Sequence, residues 1–152
     1  MKRKGKPVPY HKATGGAAAR AEITRLLQSF GCDSVGLMDD FTNHSLLLAF
    51  KYRGRAVQMS ASAKGWAALY LKANPWKPGS KKPKPQYERE ALEHGQQVCP
   101  SMLRDWIKGQ LTAVECGMVS FDHVFMPYML TADGRPLIDK VRDEKLLPPP
   151  SA

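Results

Sequence analysis

Hydrophobic positions near the start of the chain repeat with the period of a helix. Ile23, Leu26, Leu27 and Phe30 stand at i, i+3, i+4 and i+7, which is the spacing of one apolar helix face. Gly31 follows this pattern and suits the end of a helix. The pattern therefore predicts a helix over residues 17–30.

Three strand-like segments follow this predicted helix, at 34–38, 45–52 and 55–61. The turn-forming letters "DDFTNH" separate the first two segments. Only "RG" at 53–54 separates the second from the third, and such a short link predicts a β-hairpin. Consecutive strands with short links predict an antiparallel three-stranded meander.

Helical patterns return after the strands, and a proline-rich segment interrupts them. A helix is predicted at 63–73, and residues 74–86 then contain four prolines and four lysines, which predict an extended loop. A long helical region begins near residue 87, where Pro100 predicts a break or kink with Ser101 as a new N-cap. Two short helices are predicted further on, one beginning near Ser120 and one in "LIDKVRDEKLL".

These elements predict the fold class α+β, with a three-stranded antiparallel β-meander packed by an N-terminal helix and by C-terminal helices. The chain of 152 residues has the length of one domain. We assign that domain to 15–147, including the lysine/proline loop at 74–86. Residues 1–14 combine cations with prolines and contain no acid, so they are predicted to form a flexible basic arm. Residues 148–152 form a proline-rich tail.

The positive charge of the chain is concentrated in its middle third. The net charge is +9, which favours anionic partners, and nucleic acid is the common partner of a small basic domain. No Asp or Glu lies between Asp40 and Glu88, whereas residues 88–152 contain ten acids against seven Lys and Arg. The acid-free span holds nine cations, at positions 51, 53, 55, 64, 72, 77, 81, 82 and 84. A fold built from these parts is predicted to have one strongly positive side.

Cations and aromatic residues occur together in two segments of the acid-free span, the hairpin around "KYRGR" and the loop "NPWKPGSKKPKPQ". Lysine and arginine bind phosphates, and aromatic rings stack on bases. The alternative for the hairpin is a solvated tip whose cations prevent edge pairing, and the alternative for the loop is a solvated connector. The predicted nucleic-acid-binding residues are Lys51, Tyr52, Arg53, Arg55, Lys64, Trp76, Lys77, Lys81, Lys82 and Lys84.

Signals for catalysis or metal binding are weak. Glu90 and His94 stand four residues apart, a spacing that surface helices produce routinely. Asp39 and Asp40 suit a turn. No catalytic residue, metal or cofactor is predicted, and a metal-dependent nuclease is the lowest-ranked alternative. A zinc site matches no common ligand spacing and would have to be assembled from Cys99, Cys116, His94 and His123.

The remaining features indicate a cytoplasmic location without membrane association. Three cysteines without CxxC spacing suit a reducing compartment. No apolar segment approaches the roughly 20 residues that a bilayer requires, and the basic N-terminus lacks the hydrophobic stretch of a secretory signal.

Several segments resemble a family of small uncharacterised proteins from tailed phages and prophages. These segments are "AEITRLLQSFGCDSVGLMDD", "LAFKYRGRAVQMS", "LRDWIKGQLTAVECGMVSFDHVFMPYMLTADGRPL" and "LLPPP", within residues 20–149. The chain departs from the family by the insertion at 74–86 and by Cys99–Pro100. The resemblance implies a phage setting.

The order helix, β-meander, helix with a basic groove also resembles the core of phage single-strand annealing proteins. That resemblance implies rings or filaments that hold single-stranded DNA along a positive groove. We therefore expect a non-catalytic nucleic-acid-binding protein of phage DNA metabolism, which binds or anneals single-stranded DNA in recombination and forms homo-oligomers. The alternative is a phage-encoded inhibitor of a host defence or nucleic-acid-processing protein.

Overall fold

The fold contains five helices and one sheet within the part of the chain that the structure describes. A computed structural model describes residues 8–13 and 15–151. The predicted α+β class and the antiparallel sheet of order β1-β2-β3 are confirmed. The elements in chain order are α1 (Ala17–Phe30), β1 (Ser34–Asp40), β2 (Ser45–Tyr52), β3 (Arg55–Ser62), α2 (Lys64–Ala73), α3 (Lys84–Glu115), α4 (Phe121–Phe125), a 3₁₀ turn (Met126–Tyr128) and α5 (Leu137–Asp143).

A two-residue turn connects β2 to β3. Arg53 and Gly54 have φ angles of 49° and 78°, the two positive values that a type I′ turn requires. Tyr52 and Arg55 close this turn as a cross-strand pair. The turn fixes the register of the hairpin, which continues to the pair formed by Ser45 and Ser62.

The core lies between one face of the sheet and helices α1 and α3. Strand residues alternate between the two faces of a sheet, and Leu48 of β2 points into this core with an exposure of 0%. Leu27 of α1 and Ile107 of α3 pack into the same cluster. Phe125 of α4 closes it and has no solvent-exposed surface. The opposite face of the sheet carries Met38, which is 60% exposed.

Helix α3 continues through Pro100, so the predicted restart of the helix at Ser101 is wrong. Proline lacks the N–H that would bond to the carbonyl of Gln96. The ring of Pro100 is buried and lies against Gly16, where an added Cβ would stand 2.5 Å from the proline Cγ. The ring of Pro100 therefore packs closely against the start of α1.

Helix α2 and the first half of α3 form an antiparallel helical hairpin. Gly95 of α3 permits their close approach, because a Cβ there would lie 2.9 Å from the carbonyl oxygen of Ala63 and 3.3 Å from the Trp66 ring. At the other end of the pair, the Tyr87 hydroxyl donates a hydrogen bond to the Asn74 carbonyl. The connection between these helices is therefore the tip of a helical hairpin.

Residues 8–13 pack against this helical hairpin. Val8 is buried in a cluster with Trp66, whose indole N–H donates to the Pro9 carbonyl over 2.8 Å. The Tyr10 hydroxyl donates to Asp105 over 2.6 Å. These contacts pack residues 8–13 of the predicted flexible arm onto the domain. A segment of six residues is too short for hydrophobic periodicity to reveal such packing. Residues 1–7 and Thr14, also assigned to the arm, lie outside the described residues.

None of the helices in the described residues is long and apolar enough to cross a lipid bilayer.

Candidate nucleic-acid interface

The β-hairpin tip carries three predicted phosphate-binding cations with different surroundings. Lys51 and Arg53 are exposed, and neither pairs with a carboxylate in the part of the chain that the structure describes. Arg55 forms an ion pair with Asp122 of α4 at 3.1 Å between Nη1 and Oδ1. The carboxylate thus compensates one of the three positive charges at this tip.

Tyr52 belongs to an aromatic cluster beside the tip. Its ring centroid lies 4.9 Å from that of Phe30 and 4.5 Å from that of Phe121. The guanidinium carbon of Arg53 stands 5.3 Å from the Tyr52 centroid, within the range of cation–π attraction. The half-buried Tyr52 ring is thus engaged by the protein itself, and its predicted role as a base-stacking platform stays a prediction.

The lysine/proline loop has a defined structure in the segment between α2 and α3. Ser80 N–H donates to the Lys77 carbonyl over 3.1 Å, and Gly79 has a φ of 86°. Proline at the second and glycine at the third position of this turn match type II. The indole N–H of Trp76 donates to the Lys82 carbonyl over 2.8 Å, which ties the two ends of the loop together.

Two of the four predicted lysines in this region have carboxylate partners on α3. Lys82 Nζ lies 2.6 Å from Glu90 Oε2, and this hydrogen bond raises the pKa of Lys82 and lowers that of Glu90. Lys84 Nζ lies 3.9 Å from Glu88. Both pairs are exposed and therefore weak.

Lys77 and Lys81 are the unpaired lysines of the loop. Both are exposed, and within the described residues neither forms an ion pair. Lys72, in the last turn of α2, adds a third exposed cation at the base of the loop. Lys72 is not among the binding residues predicted from the sequence, although it lies in the same acid-free span.

The two predicted binding segments lie at opposite ends of α3. Val114, near the C-terminal end of α3, lines a cavity together with Tyr52 and Arg55. The lysine/proline loop precedes the N-terminal end of this helix. A helix of 32 residues is roughly 48 Å long. Lys64 begins α2, at the end of β3 away from the hairpin tip. Nine of the ten predicted residues therefore lie at two separate tips instead of along one groove, and Lys64 lies at neither tip.

The residues considered for catalysis have separate structural contacts. Asp39 pairs with Arg20 at 2.6 Å. Asp40 accepts hydrogen bonds from the N–H groups of Thr42 and Asn43, and the bonds from Asn43 are the main cause of its lowered pKa. Since neighbouring strand residues point to opposite faces, these two carboxylates do not converge on one ion.

Glu90 and His94 are likewise engaged apart from each other. Glu90 bonds to Lys82 and Gln86. The His94 ring lies 4.6 Å from the Trp66 centroid, and its Nε2 donates to the His11 carbonyl over 3.2 Å. Across the described ranges, no three His, Cys, Asp or Glu side chains are grouped as a metal site would need.

The three cysteines differ in accessibility. Cys32 is half-buried, and burial raises the pKa of its thiol to about 11. Cys99 is buried, and burial raises its thiol pKa as well. Cys116 is exposed at the end of α3.

We expect a thiol reagent at about pH 8 to modify one cysteine rapidly in the folded protein, since the thiolate is the reactive species. The fast phase of an Ellman assay should correspond to Cys116 and disappear in Cys116→Ser. All three thiols should react in denaturant. Rapid modification of Cys32 in the folded protein would contradict its half-buried position.

Comparison with known proteins finds no match among family models, curated proteins or solved structures.

Proposed function

We propose that this protein binds nucleic acid without catalysis, through phosphate contacts made by the tip of the α2–α3 helical hairpin. The observation that carries the proposal is the pair of exposed lysines, Lys77 and Lys81, which have no carboxylate partner among the described residues. Lys72 stands at the base of the same loop. Counterion release from phosphates favours such contacts at low salt.

The β-hairpin tip is a secondary contact in this proposal. Arg55 is paired with Asp122, and Asp33 stands beside Lys51, whose carbonyl accepts its backbone N–H. With Arg55 paired, two cations without a carboxylate partner among the described residues remain at this tip, whereas three remain at the loop and its base. Trp76 is the aromatic residue of the loop and is partly exposed, which makes it the residue we assign to base stacking.

Single-stranded DNA is the ligand we propose, within phage DNA metabolism such as strand annealing in recombination. A compact loop with exposed lysine side chains and one indole suits backbone-directed binding, which is tolerant of sequence. No cofactor is required, because holding a strand extended for pairing involves no bond making or breaking.

The test measures the binding of a fluorescein-labelled oligothymidine by fluorescence anisotropy over a series of salt concentrations. We expect Lys77→Glu with Lys81→Glu to weaken binding about tenfold or more at low salt. Loss of two phosphate contacts should also reduce the salt-dependence slope by about 1.4. The matched control is Lys51→Glu with Arg53→Glu, which lowers the net charge from +9 to +5 as the loop variant does.

If the loop is the binding site, the loop variant should lose much more affinity for the oligonucleotide than the hairpin variant. Equal losses would indicate that only net charge matters and would overturn the assignment to the loop. Absence of salt-sensitive binding in the wild-type protein would overturn the function itself. A duplex with the same number of phosphates tests the ligand, because tighter binding to that duplex would contradict single-strand preference. Thermal unfolding of each variant shows that the fold is intact.

A further inference from the structure

Strand β1 presents an unpaired backbone edge. The two-residue turn makes Tyr52 and Arg55 a hydrogen-bonded pair. Because the backbone groups of successive residues point alternately to one neighbouring strand and to the other, the two registers fix the direction of the groups in β1. The N–H and C=O groups of Val35, Leu37 and Asp39 therefore point away from β2. In the described ranges, no backbone group from another element bonds to this edge.

The other sheet edge is partly covered. Leu130 N–H donates to the Ala56 carbonyl over 2.8 Å, and Met129 forms a bridge with Val57. Edge strands in monomeric proteins are usually protected by lysine, proline or a bulge. The β1 sequence "SVGLMDD" contains neither lysine nor proline, and its pairing to β2 is regular throughout. Its only charges are Asp39 and Asp40 at the end of the strand, so residues 34–38 lack the features that prevent pairing with a further strand.

The outer face of β1 is complementary to itself. Gly36 and Met38 lie on the sheet face that the helices leave uncovered; Met38 is 60% exposed, and a Cβ at Gly36 would have no atom within 4 Å. In an antiparallel pair of β1 strands related by a two-fold axis at Leu37, Met38 of each copy stands beside Gly36 of the other. The methionine side chain then covers the space that the glycine leaves open.

Charge distribution also favours a second copy as the occupant. Pairing about Leu37 places Asp39 opposite Val35 and Asp40 opposite Ser34, so no two like charges face each other. Asp39 is held by Arg20. The other five residues of the strand are uncharged in a chain of net charge +9, so the only charges that the strand brings to the interface are the aspartates at its end. In this register, the outward N–H and C=O groups of Val35, Leu37 and Asp39 all form backbone hydrogen bonds with the other copy.

We propose that the β1 edge is a homodimer interface, in which two copies pair antiparallel about Leu37 and form one continuous six-stranded sheet. The interface is isologous, as closed two-fold dimers require. It is independent of the lysine/proline loop, which lies beyond β3 and α2 in the chain. The proposal therefore stands or falls separately from nucleic-acid binding.

The experiment measures sedimentation velocity of the full chain without nucleic acid, over a range of protein concentrations. About 0.5 M salt limits the general repulsion between the positive chains. We expect a reversible monomer–dimer equilibrium. Gly36→Lys with Met38→Lys places lysines opposite each other twice and should weaken dimerisation about tenfold or more. Gly36→Glu with Met38→Lys places opposite charges there and should keep the dimer.

Two further comparisons make the test specific to this edge. Ala68→Lys with Ala132→Lys adds the same two charges at exposed positions elsewhere, and it should leave the dimer intact. Circular dichroism of each variant reports whether the monomer is folded. A strictly monomeric wild-type protein would overturn the proposal, and so would a double-lysine variant at positions 36 and 38 that dimerises as tightly as the Glu/Lys variant.

Discussion

Replacing Phe125 by alanine is expected to lower the free energy of unfolding by about 3–5 kcal/mol. Phe125 has no exposed surface and is the largest fully buried side chain among the described residues. Its ring lies 5.6 Å from Phe50, 4.7 Å from Phe121 and 5.9 Å from Trp106, centroid to centroid. Truncation would remove these contacts and leave a cavity between β2 and α3. Urea unfolding followed by circular dichroism measures the change.

Phe41→Ala is the matched control for this substitution. Phe41 lies in the turn between β1 and β2 and is 74% exposed, so its truncation should change the free energy of unfolding by less than about 0.5 kcal/mol. A loss below about 1 kcal/mol for Phe125→Ala, or equal losses for both variants, would contradict the position of α4 over the core.

The second large effect is expected at the crossing of α2 and α3. Gly95→Ala should lower the free energy of unfolding by about 1–3 kcal/mol, as overpacking does. The added Cβ would lie 2.9 Å from the Ala63 carbonyl oxygen, and this oxygen is fixed because it accepts the Ala67 N–H at the start of α2. The helices would have to move apart and expose Trp66.

Gly109→Ala is the control in the same helix. A Cβ at Gly109 would have no atom within 4 Å, and alanine is the better helix former by about 1 kcal/mol. The substitution should therefore raise the melting temperature, whereas Gly95→Ala lowers it. Changes of the same sign in the two variants would show that helix propensity dominates and that α2 does not approach Gly95 closely.

Local patterns predicted most elements of this fold, because hydrophobic period and turn chemistry act over a few residues. The apolar face of α1 and the glycine that ends it predicted 17–30, and the structure has a helix with these bounds. The turn at Arg53 and Gly54 predicted the hairpin. Each of these signals lies within the element that it defines.

Features that depend on distant partners were not predictable in this way. Pro100 was expected to break or kink the helix because a local rule governs proline, but its ring is buried and lies against Gly16, which precedes α1. Helix α3 begins at Lys84, earlier than the predicted residue 87, since Pro85 is tolerated in a first turn. Residues 8–13 have no period of their own, and only α2 and α3 give them a place to pack.

In the candidate site, too, local sequence features were predictable and contacts with distant segments were not. The absence of acids between Asp40 and Glu88 identified the segment that holds the cations. Their distribution over the surface depends on α3, whose length separates the two tips. The partners of Arg55, Lys82 and Lys84 all lie at or beyond residue 88. Counting charges within a segment cannot reveal a carboxylate supplied by another segment.

The contact between Gly16 and the Pro100 ring links two positions that are far apart in the chain. A side chain larger than hydrogen at position 16 would collide with the ring, since even a Cβ would stand 2.5 Å from its Cγ. Spatial neighbours of this kind change together during evolution. In any group of homologous sequences, glycine at position 16 and proline at position 100 should thus covary, so that loss of one accompanies loss of the other.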